Sequence, residues 1–308
     1  MFIMKGSNFP TVMGMIALVL WSTGIAFTRS ISEHMGTLNT AFFSLLFSGL
    51  LLLIIQWIVY KKEFFKKIAN LPFSYLYKAG SFWVIYEVSI YLAVGEATSR
   101  EAVIVVGIIN YLWPGLIFLF SVLLLKNKVR PTLLILGIFL AFSGTVVALM
   151  HGNRLSLVDL LSTLKGNLIP YAFAFVAAVS WGLYSNLVRK YKVKEDLISV
   201  PLLFVASGGI ILVLQLFKGE VPSVNLAGWE YLEFAYFVIF SMALGYLFWF
   251  KAMRDGKKEI VTAFSYLGPL VSTLISGLYL KVKIGISFWA AALMVILGAV
   301  LCKMSIRD

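Results

Sequence analysis

Three observations predict an all-α integral membrane protein with ten transmembrane helices arranged as two inverted five-helix repeats. Of the 308 residues, 61% are hydrophobic and only 13% are charged, about half the charged share of a globular chain. Apolar runs close to the length of a membrane crossing, about 20 residues, recur between charged or turn-forming breaks. The second half of the chain also repeats features of the first. A soluble domain of this size cannot hide so much apolar surface. A disordered chain needs the opposite composition.

The runs follow in order. The first, 11–28, lies after Lys5 and continues to Arg29 without a small-x-small cleavage site, so it is read as a retained span and not a removed leader. The second, 38–60, stops at Lys61-Lys62, with Lys66-Lys67 just beyond. The third, 73–96, carries Glu87. The fourth, 102–125, contains Pro114, and the fifth, 131–150, begins at Pro131, where a missing N–H costs little. The sixth, 168–188, stops at Arg189-Lys190. The seventh is 197–217, the eighth 229–250, the ninth 259–280 with Pro269 inside it, and the tenth 285–303. Residues 1–150 form the first repeat, 168–308 the second, and 151–167 an extracytoplasmic linker.

Alternate sides of this arrangement hold 19 and 7 of the 26 Lys and Arg residues. That bias places both termini in the cytoplasm. It also accounts for the net charge of +12, so no nucleic-acid partner is expected. The partners are a lipid bilayer and a small-molecule substrate. Cys302 is the single cysteine, which excludes internal disulfides and thiolate metal clusters. The histidines, His34 and His151, fall in loops. No metal, no cofactor and no catalytic residue is expected, and the chain is read as not an enzyme.

A shift of 155 residues aligns Asn110-Tyr111-Leu112-Trp113-Pro114 with Ser265-Tyr266-Leu267-Gly268-Pro269. Between 110–128 and 265–283, nine of nineteen positions are identical, Lys126/Lys281 and Lys128/Lys283 among them. Upstream, Tyr91-Leu92 matches Tyr246-Leu247, and a shift of 160 pairs Trp21 and Arg29 with Trp181 and Arg189. Five spans per unit make the second unit run the opposite way through the bilayer. That is the plan of secondary transporters, whose substrate site lies near mid-membrane between the halves. The plan is compatible with a working monomer.

Of eight prolines, six sit at span edges or in loops, and only the repeat mates Pro114 and Pro269 sit mid-span. A proline within a helix frees a carbonyl and bends the chain. In a bilayer such groups need protein or cavity water as partners. The fourth and ninth helices are therefore expected to kink beside a pathway.

Glu87 is the one carboxylate near the middle of a span, a costly position that points to function. It could meet a substrate ammonium, carry a coupling proton, or hydrogen-bond a neighbouring helix as the neutral acid. Its repeat mate is Met242. Aromatic side chains collect on the same segments: Trp21, Tyr86, Tyr91, Tyr111, Trp113, Trp181, Tyr184 and Tyr266, with Tyr246 and Trp249. At mid-depth, Tyr and Trp want partners for O–H and N–H, which favours a cavity suited to a flat apolar ring. Asn110 adds a polar contact. No Lys or Arg lies at mid-depth, so a substrate carboxylate would need backbone N–H groups or hydroxyls such as Ser22, Ser185 and Ser265.

Ten spans in two five-span repeats, each with a proline in its fourth helix, resemble the drug/metabolite transporter superfamily, EamA type. Tyr86-Glu87, Asn110-Tyr111-Leu112-Trp113-Pro114 and the opening Leu20-Trp21-Ser22-Thr23 resemble its branch of YddG-type aromatic amino acid exporters. The resemblance implies export of aromatic amino acids, and of other hydrophobic ones, across a bacterial inner membrane by alternating access through a central cavity. Many EamA members carry Gly-Glu at the ends of the fourth and ninth helices. This chain has Leu125-Lys126-Asn127 and Leu280-Lys281-Val282 there, which argues against a generic EamA permease. Two alternatives stay open. One is a permease for another metabolite or drug, where a phosphate would want buried Arg or Lys and a polyamine several buried carboxylates. The other is a non-transporting membrane subunit or sensor, which would need no matched prolines.

Overall fold

A computed structural model describes residues 8–126, 128–149, 157–191 and 196–306. Lys5, Asn127, His151, Lys192, Lys194 and residues 151–156 of the linker lie outside the described residues. Among the described residues, ten helical spans build the bundle. The first is Asn8–Met35. The second, Thr37–Tyr60, continues through a 3-10 turn, Lys61–Glu63, into a short helix, Phe64–Ala69. The third is Phe73–Gly95, the fourth is Arg100–Asn110 plus Trp113–Leu125, and the fifth is Pro131–Leu149. The sixth, Leu157–Tyr191, is broken at Asn167, whose backbone is non-helical. The seventh is Asp196–Phe217, and the eighth runs from Trp229 to Asp255 with a π-helix, Phe237–Leu244, inside it. The ninth is Lys258–Ser265 plus Gly268–Tyr279, and the tenth is Ile286–Met304.

Eight of these spans are long and apolar enough to cross a membrane on their own. The other two are the third, which carries Lys78 and Glu87, and the interrupted ninth. Large apolar side chains such as Leu123, Phe139, Leu278 and Ile286 stay exposed on the outside of the bundle, where lipid tails cover them.

The helix contacts obey a two-fold relation. The second span packs on the seventh, and the fifth on the tenth; each of these pairs is a pair of repeat mates. The first packs on the eighth and the third on the sixth, and these two contacts are images of each other. The fourth meets the sixth as the ninth meets the first. The fifth and tenth spans approach closely because both present glycine. A Cβ on Gly298 would stand 2.5 Å from the Gly137 carbonyl oxygen, and one on Gly137 would stand 2.6 Å from the carbonyl oxygen of Gly298. Such contact raises dispersion attraction where lipid offers no hydrophobic driving force.

The prolines act differently from simple kinks in continuous helices. Each is the second residue of a fresh helical segment. A proline in the first turn loses no intrahelical bond, whereas one in the interior loses a bond and clashes with the preceding turn. The chain therefore tightens just before it. Leu112 N–H donates to the Ile109 carbonyl at 3.0 Å, and Leu267 N–H donates to that of Phe264 at 3.0 Å. The fourth and ninth spans end alike too, on Lys126 and Lys281 with φ of 58° and 57°, a left-handed conformation that glycine adopts at lower cost.

The eighth span departs from the continuous α-helix expected over 229–250. Its i→i+5 segment widens the helix over two turns. The matching first-repeat segment, within Phe73–Gly95, is α-helical. In the sixth span, the Asn167 side chain accepts from Thr98 N–H at 2.9 Å and from the Thr98 hydroxyl at 3.0 Å. This ties its start to the turn between the third and fourth spans.

Candidate functional site

Between the repeats lies a cavity of about 110 Å³, room for several water molecules. The first span lines it with Leu18, Trp21, Gly24, Ile25 and Thr28, which share one helical face by their spacing of three and four. The third span contributes Tyr86, Glu87, Ile90 and Tyr91, and the break in the fourth contributes Asn110, Tyr111 and Trp113. Trp181 of the sixth span closes one side. Phe237, Ser241, Met242 and Tyr246 come from the eighth. Spacings of four and five suit the wide turns of its π-helix.

Glu87 is the one charged residue type in this lining, and it is 2% exposed. The Tyr246 hydroxyl donates to its Oε1 at 2.8 Å. Tyr86 is flanked by Asn110 and Tyr246. The Tyr91 hydroxyl reaches Sδ of Met242 at 3.9 Å. Ser241 joins the first and eighth spans: its hydroxyl donates to the Leu20 carbonyl at 2.9 Å and lies 2.8 Å from the Thr23 hydroxyl.

The aromatic wall is one connected assembly centred on Trp181. Its ring lies 4.9 Å from Tyr86, 6.3 Å from Trp21 and 6.4 Å from Trp113. Trp21 also meets Tyr246 edge-on at 4.8 Å and Trp249 at 5.2 Å. Edge-to-face geometry aligns positive ring edges with negative faces. Two buried atoms at this wall, Nε1 of Trp21 and Oδ1 of Asn110, find no partner among the described residues.

Trp21, Tyr86, Glu87, Tyr91, Asn110, Tyr111, Trp113 and Trp181 thus meet around one space. Tyr184, Ser265 and Tyr266 are not among the lining residues. Tyr184 packs 5.1 Å from Trp83 and 5.6 Å from Trp181, with its hydroxyl 3.5 Å from that of Tyr75. Ser265 is buried. The Tyr266 ring lies under Nζ of Lys303 at 5.9 Å, on the side of the tenth span. Ser22 and Ser185 donate to carbonyls of their own helices, Leu18 and Trp181. Pro114 and Pro269 each start a half-helix, but only the fourth-span break reaches the cavity.

Sequence reasoning missed Phe237, Ser241 and the first-span positions around Trp21. The latter follow from the three- and four-residue spacing about Trp21. The π-helix left no pattern that would have revealed the former. Chemically, the site offers flat apolar faces, one carboxylate and hydroxyls. Among the described residues no Lys, Arg or His lines it, and they hold no group of three or more candidate metal ligands.

The EamA-like transporter family model matches residues 8–150 and again 168–304. The aromatic amino acid exporter YddG of Escherichia coli is 30% identical over 297 residues, covering 96% of this chain and 97% of the relative. The protein of that name from Salmonella typhimurium is 29% identical over 98% of this chain and 99% of its own. An uncharacterized transporter of Bacillus subtilis, YvbV, is 24% identical over 63% of this chain. A protein solved by crystallography superposes with a TM-score of 0.66 over 97% of this chain and 98% of its own, at 22% identity, a likeness of fold alone.

Proposed function

The chain belongs to the EamA-like transporter family, and on that premise we propose that it exports aromatic amino acids by alternating access through the cavity between its repeats. The observation that carries this reading is the joining of an aromatic wall to the carboxylate that lines the same cavity, Glu87. Trp21, Tyr86, Trp113 and Trp181 surround the substrate ring by offset and edge-on contact. Glu87, held by Tyr246, faces the substrate ammonium, and Asn110, Tyr91 and Tyr111 supply polar contacts. A cavity without Lys or Arg disfavours phosphorylated cargo. The names of the full-length relatives support the same substrate class.

The protein resides in a bacterial inner membrane with both termini cytoplasmic, a reading supported by the distribution of Lys and Arg. Residues 1–150 and 168–308 are the two repeats, and 151–167 is the connection outside. Its work is transport and involves no cofactor. The test is growth in the presence of a toxic analogue, p-fluorophenylalanine. Expression in a strain lacking its own aromatic exporters is expected to confer resistance, and a toxic lysine analogue is expected to remain toxic. Equal sensitivity with and without the protein would refute the proposal.

A further inference from the structure

We propose that Gly268 and Ser272 of the ninth span form a seat for the Tyr111 ring, and that this seat sets how large an aromatic substrate the cavity accepts. The inference rests on the aromatic amino acid reading above and assigns two positions outside the cavity lining.

Tyr111 sits in the break of the fourth span and lines the cavity. Its ring lies against Gly268, the first residue of the helix Gly268–Tyr279. A Cβ at position 268 would stand 2.7 Å from Cε1 of Tyr111 and 3.2 Å from its hydroxyl oxygen. The first distance is closer than real Cβ contacts, so any side chain there displaces the ring. One turn further along the same face lies Ser272, 3% exposed. It lies near the Tyr111 hydroxyl, as does Ser22. Glycine therefore gives the ring room, and Ser272 borders the same seat near its tip.

The repeat shows that this is not a shared structural requirement. With the 155-residue shift, the mates of Gly268 and Ser272 are Trp113 and Ile117. In the first repeat the equivalent face is bulky, and Trp113 itself projects to the cavity. Only the second repeat is hollowed, and Tyr111 of the first repeat fills the hollow. The backbone gives no reason for glycine at this place. Position 268 lacks a positive φ and opens a helix, where alanine has the better propensity.

An alanine at 268 pushes Tyr111 toward the cavity and shortens the space for the ring. A single methyl in a tight pocket discriminates between ligands by about tenfold or more. The test measures KM and maximal rate for tryptophan and phenylalanine in proteoliposomes. Gly268→Ala is expected to raise KM for tryptophan about tenfold relative to phenylalanine, with maximal rate and Tm unchanged. Adding Tyr111→Leu removes the displaced ring and is expected to return the tryptophan-to-phenylalanine KM ratio to the wild-type value, while the lost polar contact raises KM for both substrates. Should Gly268→Ala fold poorly, Ser272→Ala adds no atoms, loosens the seat near the ring tip and is expected to shift the tryptophan-to-phenylalanine ratio about threefold, the effect of a lost modest polar contact. Wild type that selects between the substrates while the variants keep its ratio overturns the seat alone. Wild type that transports neither overturns the substrate reading and the seat with it.

Discussion

Tyr246 donates its hydroxyl to Oε1 of Glu87 at 2.8 Å, and the same contact occurs a second time with the repeats exchanged. Tyr91 and Met242 are the mates of Tyr246 and Glu87 under the 155-residue shift, and Tyr91 reaches Sδ of Met242 at 3.9 Å. Two images of one tyrosine contact therefore bridge the third and eighth spans across the cavity. They differ in strength, because a carboxylate is a strong acceptor and a thioether a weak one.

This difference predicts unequal losses. Tyr246→Phe is expected to cost about 1–2 kcal/mol, the upper range for hydrogen bonds between membrane helices, and to lower Tm in detergent. Tyr91→Phe is expected to cost less than about 0.6 kcal/mol, the membrane average. The cycle of Tyr246→Phe and Glu87→Gln is expected to show coupling of about 1 kcal/mol or more, as for neighbouring groups. Equal losses in the two single variants would remove the special standing of the Glu87 contact.

Trp113→Ala tests the aromatic wall. It removes the 6.4 Å contact with Trp181 and opens the break in the fourth span to the cavity. An aromatic pair contributes about 0.5–1.5 kcal/mol, so KM for phenylalanine is expected to rise several-fold with expression preserved. Unchanged KM would take Trp113 out of the site.

Gly298→Val tests the seam between the fifth and tenth spans. The close approach of the Gly137 carbonyl leaves no room for the added atoms. Overpacking of this kind costs about 1–3 kcal/mol, read as a fall in Tm. Gly209→Ala is the control, since a Cβ there meets nothing within 4 Å; its Tm is expected to stay level or rise.

Glu33 links three parts of the bundle at one end. It accepts from Arg29 at 2.8 Å and from Arg100 at 2.5 Å, while Arg100 also donates to the Leu280 carbonyl at 3.0 Å. These groups are partly exposed, so Glu33→Gln is expected to change stability by less than about 1 kcal/mol. The link joins the first and fourth spans to the end of the ninth, in the other repeat. A change in maximal rate without a change in KM is therefore the expected transport effect, and a pure KM effect would contradict it.

The sequence made the bundle legible because each span leaves its own apolar run, and because Pro114 and Pro269 mark the two interruptions. Trp21, Glu87, Tyr111 and Trp113 could be named because polar or aromatic groups at mid-span are unusual. Rotation about the helix axis was not legible. Tyr184 and Trp181 are three residues apart, yet Trp181 faces the cavity while Tyr184 packs against Trp83. Ser241 and Phe237 depend on a π-helix that inserts extra residues per turn, and an α-helical spacing rule misplaces them. Gly268 left only an absence where its mate is Trp113, and an absence has meaning only once Tyr111 is seen to occupy it.

The most direct test of the central claim is efflux of labelled phenylalanine from proteoliposomes containing the protein, with and without excess tryptophan and with Glu87→Gln as comparison. The account predicts saturable efflux, competition by tryptophan but not by lysine, and a marked loss in the Glu87→Gln protein, which still folds. Folded protein that moves no aromatic amino acid, or efflux that tryptophan does not slow, would contradict it.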